Sequence, residues 1–235
     1  MKQNIRIHKA EVNQGILNYS HLLDAPAGKH GFVETKQGHL YFEDGLRARF
    51  LGFNVAARSN TPDHETADKM AERFESMGVN LIRLHAADAP VGERPGSWSS
   101  CKEAPLLDYA SGTSRKFNPE GLDRFDYFVA KLKEKGIYLH IDLIVARAFL
   151  PGDDMEYPGG APSCLKRHTM YNARMIQLQK EYAKELLCHV NPYTGLALID
   201  DPTVVTIQIN NEDSAIKWVM EADAGEQMKP YRDEV

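Results

Sequence analysis

The chain has 235 residues, of which 43% are hydrophobic and 26% are charged, a composition typical of a soluble globular protein with one large domain or two small ones. Its formal net charge of -5 is spread along the sequence without a basic cluster, which argues against a nucleic-acid partner. No apolar run approaches the roughly 20 residues of a membrane-spanning helix. The start of the chain also lacks the apolar core of a signal peptide, so we expect a cytoplasmic protein without membrane contact.

The three cysteines, Cys101, Cys164 and Cys188, are odd in number and lack the spacing of metal ligands. This pattern predicts free or buried thiols and no disulfide framework.

The first part of the chain is predicted to precede the main sheet. Residues 1–30 show weak periodicity and the loop-like segment DAPAGKHG, which predicts an extension lying on the main domain. Residues 31–48 contain short β-prone runs separated by turns, and Asp44-Gly45 is a strong hairpin signal. We expect this antiparallel lead-in to be followed by the first strand of the main sheet, Arg49 to Val55, with Asn54 at its carboxyl end.

Helices alternate with strands over the rest of the chain. Thr61 followed by Pro62 predicts a helix with Thr61 as N-cap, Asn118-Pro119 predicts a second helix by the same device, and a third runs from about Tyr171 to His189. Long loops rich in Gly and Pro follow the second and third strands, and loops of this length are usually functional or disordered. Alternating strands and helices predict a parallel sheet with helices outside.

Polar side chains recur near the carboxyl ends of the strands. The strand VNLIRLH places Arg83 and His85 on one face, and IYLHIDLIV does the same with His140 and Asp142. Strands buried on both faces of an open sheet would read as continuous apolar runs. These strands therefore favour a barrel whose polar mouth lies at the strand ends, where barrel enzymes build their sites.

The fourth strand, PTVVTIQINNED, ends in the pair Asn211-Glu212. Taken alone, such a pair is more often a carboxylate that caps the following segment than a catalytic group. The alternation predicts an apolar face, packed on the outer helices, and a polar face lining the site. The apolar face consists of Val205, Ile207 and Ile209, and the polar face of Thr206, Gln208, Asn210 and Glu212.

The chain resembles, over about residues 31 to 215, the first four strands of clan A retaining glycoside hydrolases, the cellulase-like group around family 5. The segments that carry the resemblance are RFLGFN, GVNLIRLH, FNPEGLDRFDYFVAKLKEKGIYLHIDL and NPYTGLALIDDPTVVTIQINNED. It implies a TIM-type (β/α)8 barrel that hydrolyses β-linked oligo- or polysaccharides by double displacement, without a cofactor. It also implies that Asn211 binds the sugar 2-hydroxyl, that Glu212 is the general acid/base and that Arg83 steadies the nucleophile. Other residues expected to shape the sugar site are Asn54, His85, His140 and Asp142.

Length sets a limit on this expectation, because an eight-stranded barrel takes about 250 residues and this chain spends its length on four strands. The family's nucleophile, a Glu at the end of the seventh strand, has no counterpart here. We therefore expect residues 31–235 to be the N-terminal half of a barrel, with barrel units from residue 49, inactive alone and able to self-associate through its open edge. The sequence departs from the family pattern where Gln208 replaces Glu, Asp213 replaces Pro and Ile144 replaces His.

Simpler roles remain open for several of these residues. Arg83 can form a structural ion pair with Asp142 or Glu212. His85 and His140 can form hydrogen-bonded pairs with Asp142 or, with it, bind a divalent metal. Two other functions therefore remain open. One is a carbohydrate-binding half-barrel without catalysis, and the other, if the histidines and Asp142 bind a metal, is a metal-dependent barrel hydrolase or isomerase. Aromatic rings in or beside the strand-end loops can stack on a sugar or fill the loop core, and these are Trp98, Phe149, Tyr157 and Trp218.

Overall fold

The computed structural model describes residues 18–90, 104–154, 169–170 and 172–212, which form a two-stranded antiparallel sheet, a four-stranded parallel sheet and three α-helices. In chain order the elements are β1 (Val33–Lys36), β2 (His39–Phe42), β3 (Gly52–Ala56), α1 (His64–Ser76), β4 (Leu81–His85), α2 (Pro119–Glu134), β5 (Tyr138–Ile144), α3 (Ala173–Cys188) and β6 (Val204–Asn210). Short 3-10 turns lie at Ser20–Leu22, Ala57–Asn60, Tyr109–Ser111, Pro151–Asp153 and Leu198–Asp200. The parallel sheet has the order β3, β4, β5, β6, which confirms the predicted alternation of strands and helices. None of the helices in these ranges is both long and apolar enough to span a membrane.

The predicted lead-in hairpin is present at the foot of the parallel sheet. Strand β1 pairs antiparallel with β2 through Gln37 and Gly38, whose φ angles of 52° and 76° suit a tight hairpin turn. The Phe42 ring packs against those of Phe50 and Tyr138, at centroid distances of 6.2 and 5.4 Å. Because Tyr138 opens β5, the hairpin covers the end of the sheet opposite to the polar strand ends.

Strand β3 begins at Gly52, so the predicted start at Arg49 is three residues too early. The side chain of Asn80 binds the backbone of the intervening residues. Its Oδ1 accepts from the Leu51 N–H at 2.7 Å, and its Nδ2 donates to the Arg49 carbonyl at 2.9 Å. These backbone groups are thereby bonded to a side chain in place of a neighbouring strand.

Helix α1 is capped by Asp63, so the prediction of Thr61 as N-cap and Pro62 as the first helical residue is wrong. The Asp63 carboxylate accepts from the Thr66 N–H at 2.8 Å, and its negative charge suits the positive end of the helix dipole. The Thr61 hydroxyl donates instead to the Ala104 carbonyl at 2.8 Å, which ties the approach to α1 to the long loop after β4.

The other two helices begin close to the predicted positions. The Asn118 side chain caps α2 and Pro119 is its first residue, as predicted. Helix α3 lies within two residues of the predicted span, and the Asn172 side chain caps it by accepting from the Met175 N–H at 3.0 Å. An Asx side chain therefore caps each of the three helices.

The two central strands have one apolar face and one polar face. Ile82 and Leu84 of β4 are buried in the main hydrophobic core with Ile141 of β5 and the inward residues of α2. On the opposite face Arg83 lies beside His140 in the strand register. The alternation predicted for these strands is confirmed, and it turns the polar face toward the inside of the barrel curve.

The edge strands differ from the central strands. The side chains of Ile207 and Ile209 were predicted to pack on the outer helices, but they are 39% and 65% exposed, so that prediction is wrong for both. On the other edge, Phe53 of β3 is 42% exposed. Both edges thus present apolar surface among the described residues, and self-association through them stays a prediction that light scattering tests.

Candidate active site

Asp142 is the centre of a charged cluster on the polar face of the sheet, and the residue is 2% exposed. Arg83 Nε donates to Asp142 Oδ1 at 3.1 Å, and Arg83 Nη2 lies 2.8 Å from Oδ2, so the guanidinium forms an ion pair with this carboxylate. His85 Nδ1 lies 2.5 Å from Oδ2. His140 Nε2 lies 3.0 Å from Oδ1, but the angle leaves this nitrogen without a hydrogen bond to the described residues. The structure therefore brings four of the predicted site residues together.

The neighbours of Asp142 set its ionisation. Burial alone would raise the pKa of this carboxyl, but His140, His85 and Arg83 outweigh burial and hold the pKa below its usual range. Asp142 is therefore a carboxylate at neutral pH, with Arg83 as its counter-ion. Among the described residues, no group of three or more His, Cys, Asp or Glu side chains is arranged to hold a metal ion. The geometry around Asp142 is that of a hydrogen-bonded ion pair.

Arg83 also reaches the last strand of the sheet. Its Nη2 donates to Gln208 Oε1 and to Asn211 Oδ1, both at 2.7 Å. One guanidinium thus joins β4, β5 and β6, and its planar fork fixes the relative positions of the acceptors. Gln208 is a neutral acceptor, so Asp142 is the charged partner of Arg83 among these contacts.

Asn211 faces the site because the alternation of β6 breaks near its end. Strict alternation places Asn211 on the face opposite to Gln208, yet both side chains contact Arg83. Asn210 was predicted to line the site, but its Oδ1 lies 3.4 Å from Gln179 Nε2 of α3 in the outer layer. That prediction for Asn210 is wrong, and Asn211 contacts the charged cluster through Arg83.

Glu212 follows directly in an uncommon backbone conformation. Its φ angle is 51° and its side chain is exposed. Ala57 and Ala86, which directly follow β3 and β4, have φ angles of 51° and 54°. Left-handed conformations of residues other than glycine cost of order 1–3 kcal/mol each and cluster at functional sites. Three of the four parallel strands therefore have such a residue within two positions of their carboxyl end, at the rim that carries the polar cluster.

The remaining predicted residues divide into three groups. Asn54 is paired with Arg83 in the register of β3 and β4, in the layer below Asp142. Phe149 is fully buried against Met175 and Leu178, so it fills the loop core and offers no ring to a sugar. Outside the described residues lie Trp98, Tyr157 and Trp218.

Behind the rim lies a second set of buried charges, which the sequence patterns did not indicate. Asp88, 1% exposed, follows β4 and accepts from the backbone N–H groups of residues 145–147 at 2.8 to 3.2 Å. Burial raises the pKa of the Asp88 carboxyl, and these N–H donors together with the Arg147 charge offset the rise only in part. Asp88 thereby connects the loop after β4 to the loop after β5 by hydrogen bonds.

Arg147 and Asp153 extend this buried set to the far side of the same loops. Arg147, 1% exposed, donates from Nε to Ser114 Oγ at 3.0 Å, from Nη2 to the Ser114 carbonyl at 2.9 Å and from Nη1 to the Leu178 carbonyl at 2.9 Å. Asp153 accepts from the Ser114 N–H and hydroxyl, each at 2.9 Å, and from the Leu150 N–H at 2.7 Å. Arg147 and Asp153 thus bind backbone groups and the hydroxyls of Thr113 and Ser114, and these contacts shape the loops.

No protein-family model and no curated protein matches the sequence. Among solved structures, the chain is similar to an endo-1,4-beta-mannanase from Rhizomucor miehei, with a TM-score of 0.56 and 19% identity over 86% of this chain and 58% of that one. It is also similar to a glycoside hydrolase family 5 mannosidase from the same organism, with a TM-score of 0.52 and 16% identity over 85% of this chain and 53% of that one. The chain spans little more than half the length of these structures.

These likenesses establish the fold at this level of identity. The chain has the architecture of a partial TIM-type (β/α)8 barrel, as the sequence predicted. The similar structures are a mannanase and a family 5 mannosidase, so the fold that the strand motifs predicted is one that glycoside hydrolases adopt.

Proposed function

We propose that the chain carries the acid/base half of a retaining glycoside hydrolase site for β-linked saccharides. The observation that carries this proposal is the Arg83 guanidinium, which joins Asp142 to Asn211 next to Glu212. The cluster lies at the carboxyl ends of parallel strands, where barrel enzymes build their active sites, and similar structures with this fold are glycoside hydrolases. β-1,4-Mannan is the first substrate to test, because a similar structure is an endo-1,4-beta-mannanase.

The proposal gives each residue a chemical role. Retaining hydrolysis uses two carboxyl groups about 5–5.5 Å apart, one as nucleophile and one as acid and then base. Glu212 is the acid/base, and the proposal assigns the nucleophile to a second carboxylate outside the described residues, so that these residues are inactive alone. Arg83 places positive charge where an anionic nucleophile needs it. The Asn211 amide, oriented by Arg83, binds the sugar 2-hydroxyl, a contact that strengthens in the transition state.

The experiment uses the full-length protein, with aryl β-glycosides and β-mannan as substrates. Glu212→Gln should lower turnover by about 10²–10⁴-fold when the leaving group needs a proton. It should lower formation of the glycosyl-enzyme much less with a 2,4-dinitrophenyl leaving group, which departs unprotonated. Glu65→Gln, an exposed carboxylate on α1, is the control and should leave both rates unchanged.

Two results would count against the proposal. Full turnover of the poor leaving group by Glu212→Gln would remove Glu212 from the acid/base role, and inverted product configuration by NMR would remove the double displacement. Oligosaccharide binding without turnover, unaffected by Glu212→Gln, would identify a carbohydrate-binding barrel in place of an enzyme.

A further inference from the structure

We infer that Asp88 is a positioning residue for the candidate active site, because its carboxylate fixes the carboxyl end of β5 and, through it, Asn211. The catalytic consequence rests on the proposed function. The positioning itself is a property of the fold and is tested without substrate.

The argument begins with a short stretch of backbone bound from two sides. Ile144 is the last residue of β5, and its carbonyl accepts from the Asn211 N–H at 3.0 Å. The next three residues, 145–147, give their N–H groups to Asp88. The carboxylate therefore holds the continuation of the strand whose last carbonyl holds Asn211. A shift of residues 145–147 would move that carbonyl with them.

Asp88 is itself fixed in place. The backbone turns sharply after β4, with Ala86 at a φ angle of 54° and the Ala89 N–H bonded to the Ala86 carbonyl at 3.1 Å. The Tyr109 hydroxyl donates to the Asp88 carbonyl at 2.5 Å and accepts from the Ala148 N–H at 3.3 Å. Tyr109 thus bridges the loops after β4 and β5 a second time.

Asp88 presents two acceptor oxygens to this stretch of backbone. Oδ2 accepts from the N–H groups of Val145, Ala146 and Arg147, and the Ala146 N–H is shared with Oδ1 at 3.1 Å, so an NH₂ group at either oxygen position would face at least one backbone N–H. An asparagine of the same shape has one carbonyl oxygen and one NH₂ group, and NH₂ pointed at a backbone N–H cannot accept. The end of β5 would then lose a buried acceptor and move, which leaves a buried donor unsatisfied.

The matched control is Asp153. It is also fully buried and accepts several hydrogen bonds in the same loops, but its donors are Thr113, Ser114 and Leu150, and none of these belongs to β5 or β6. Asp153→Asn should therefore perturb the loops without moving Asn211.

The experiment is amide hydrogen exchange by NMR on residues 1–235, compared between wild type, Asp88→Asn and Asp153→Asn without ligand. We expect exchange at Asn211 to be about tenfold faster in Asp88→Asn after normalisation to the global unfolding rate, and within about twofold of wild type in Asp153→Asn. Equal acceleration in both variants, or an unchanged Asn211 amide in Asp88→Asn, would overturn the inference. If Asp88→Asn does not fold, Tyr109→Phe should give a smaller acceleration at Asn211, and no acceleration there would overturn it.

The active protein gives a second measurement. Asp88→Asn should lower kcat by about tenfold while KM changes less, because a small displacement of Asn211 weakens a contact that matters most in the transition state. An absence of turnover in the wild-type protein would count against the proposed function alone, since the exchange measurement needs no substrate.

Discussion

Two clusters of buried charged residues lie at the same rim of the barrel, and they bind different kinds of groups. In the cluster around Asp142 the partners are side chains, and the charged side chain of Arg83 remains 24% exposed on the inner face. In the set formed by Asp88, Arg147 and Asp153 the partners are mainly backbone groups, and Arg147 is 1% exposed. Side chains that bind one another next to solvent can exchange those partners for a ligand. Charged groups that are hydrogen-bonded to backbone instead fix the shape of loops. The comparison separates the residues expected to act on a substrate from those that support them.

The largest expected effect on stability comes from Arg147→Lys. Lysine cannot donate to both Ser114 groups and to the Leu178 carbonyl at once, so buried acceptors lose their donors. We expect the free energy of unfolding to fall by about 2–4 kcal/mol, because each unsatisfied buried group costs about 1–3 kcal/mol. Urea unfolding measures the change. A loss below about 1 kcal/mol would mean that the loops are held by other contacts.

The matched substitution, Arg83→Lys, should have the opposite profile. A lysine keeps the charge beside Asp142, and water can reach the half-buried Gln208, although Asn211 is buried, so we expect a loss of stability of about 1 kcal/mol. Oligosaccharide affinity should fall by at least about tenfold, because the amide of Asn211 is no longer oriented by the guanidinium. Equal effects of the two lysine substitutions on both measurements would erase the distinction between the two clusters.

The two clusters should change the free energy of unfolding in opposite directions when the pH is lowered. The pKa of Asp142 is depressed in the folded state, so its ionised form contributes stability above the unfolded value of about 3.8 that is lost as the pH falls through the folded pKa. The stability difference between wild type and Asp142→Asn should therefore narrow on acidification. The pKa of Asp88 is raised by burial, so ionisation opposes folding, and the difference between wild type and Asp88→Asn should widen as the pH falls toward 3.8. Parallel changes in the two variants would contradict these assignments.

The smallest expected effect lies at the opposite end of the sheet, far from both clusters. His30 bridges Asp24 and Asp44, with its Nε2 2.7 Å from Asp24 and its Nδ1 2.5 Å from Asp44. Hydrogen bonds to Asp24 and Asp44 raise the pKa of His30. The bridge from protonated His30 to Asp24 and Asp44 therefore contributes its full stability to the hairpin below pH 6.5. This contribution is lost as the pH rises through the folded pKa of His30. Hairpin amides should exchange faster above that pKa in wild type, and His30→Gln should remove this pH dependence while leaving the rim unchanged.

Local patterns were sufficient for much of the fold. Asn118 before Pro119 identified the start of α2, and strand alternation put Arg83 and Asp142 on one face, because caps and alternation depend on neighbours in sequence. The same reasoning failed where two local solutions compete, since Asp63 caps α1 in place of Thr61. It also failed at Asn211, where a break in the alternation after Gln208 reversed the face that strict alternation assigns.

The support behind the site could not be predicted in this way. Asp88 is 57 residues from its nearest backbone donor, and Arg147 is 33 residues from Ser114, so no short pattern links them. Neither residue lies on the alternating face of a strand. Their pairing follows from how two loops meet in the folded barrel, and nothing in the spacing of either loop specifies that meeting.

The most direct test of the central claim is an NMR titration of residues 1–235 with β-1,4-mannotriose, observing the Arg83 Nε–H and the Asn211 side-chain amide. If the Asp142 cluster is a sugar site, both resonances should shift in a saturable way, and Arg83→Lys should weaken the binding while Arg147→Lys, in conditions where it remains folded, should not. Shifts confined to other parts of the chain, or none at these two groups up to the solubility limit of the sugar, would contradict the account.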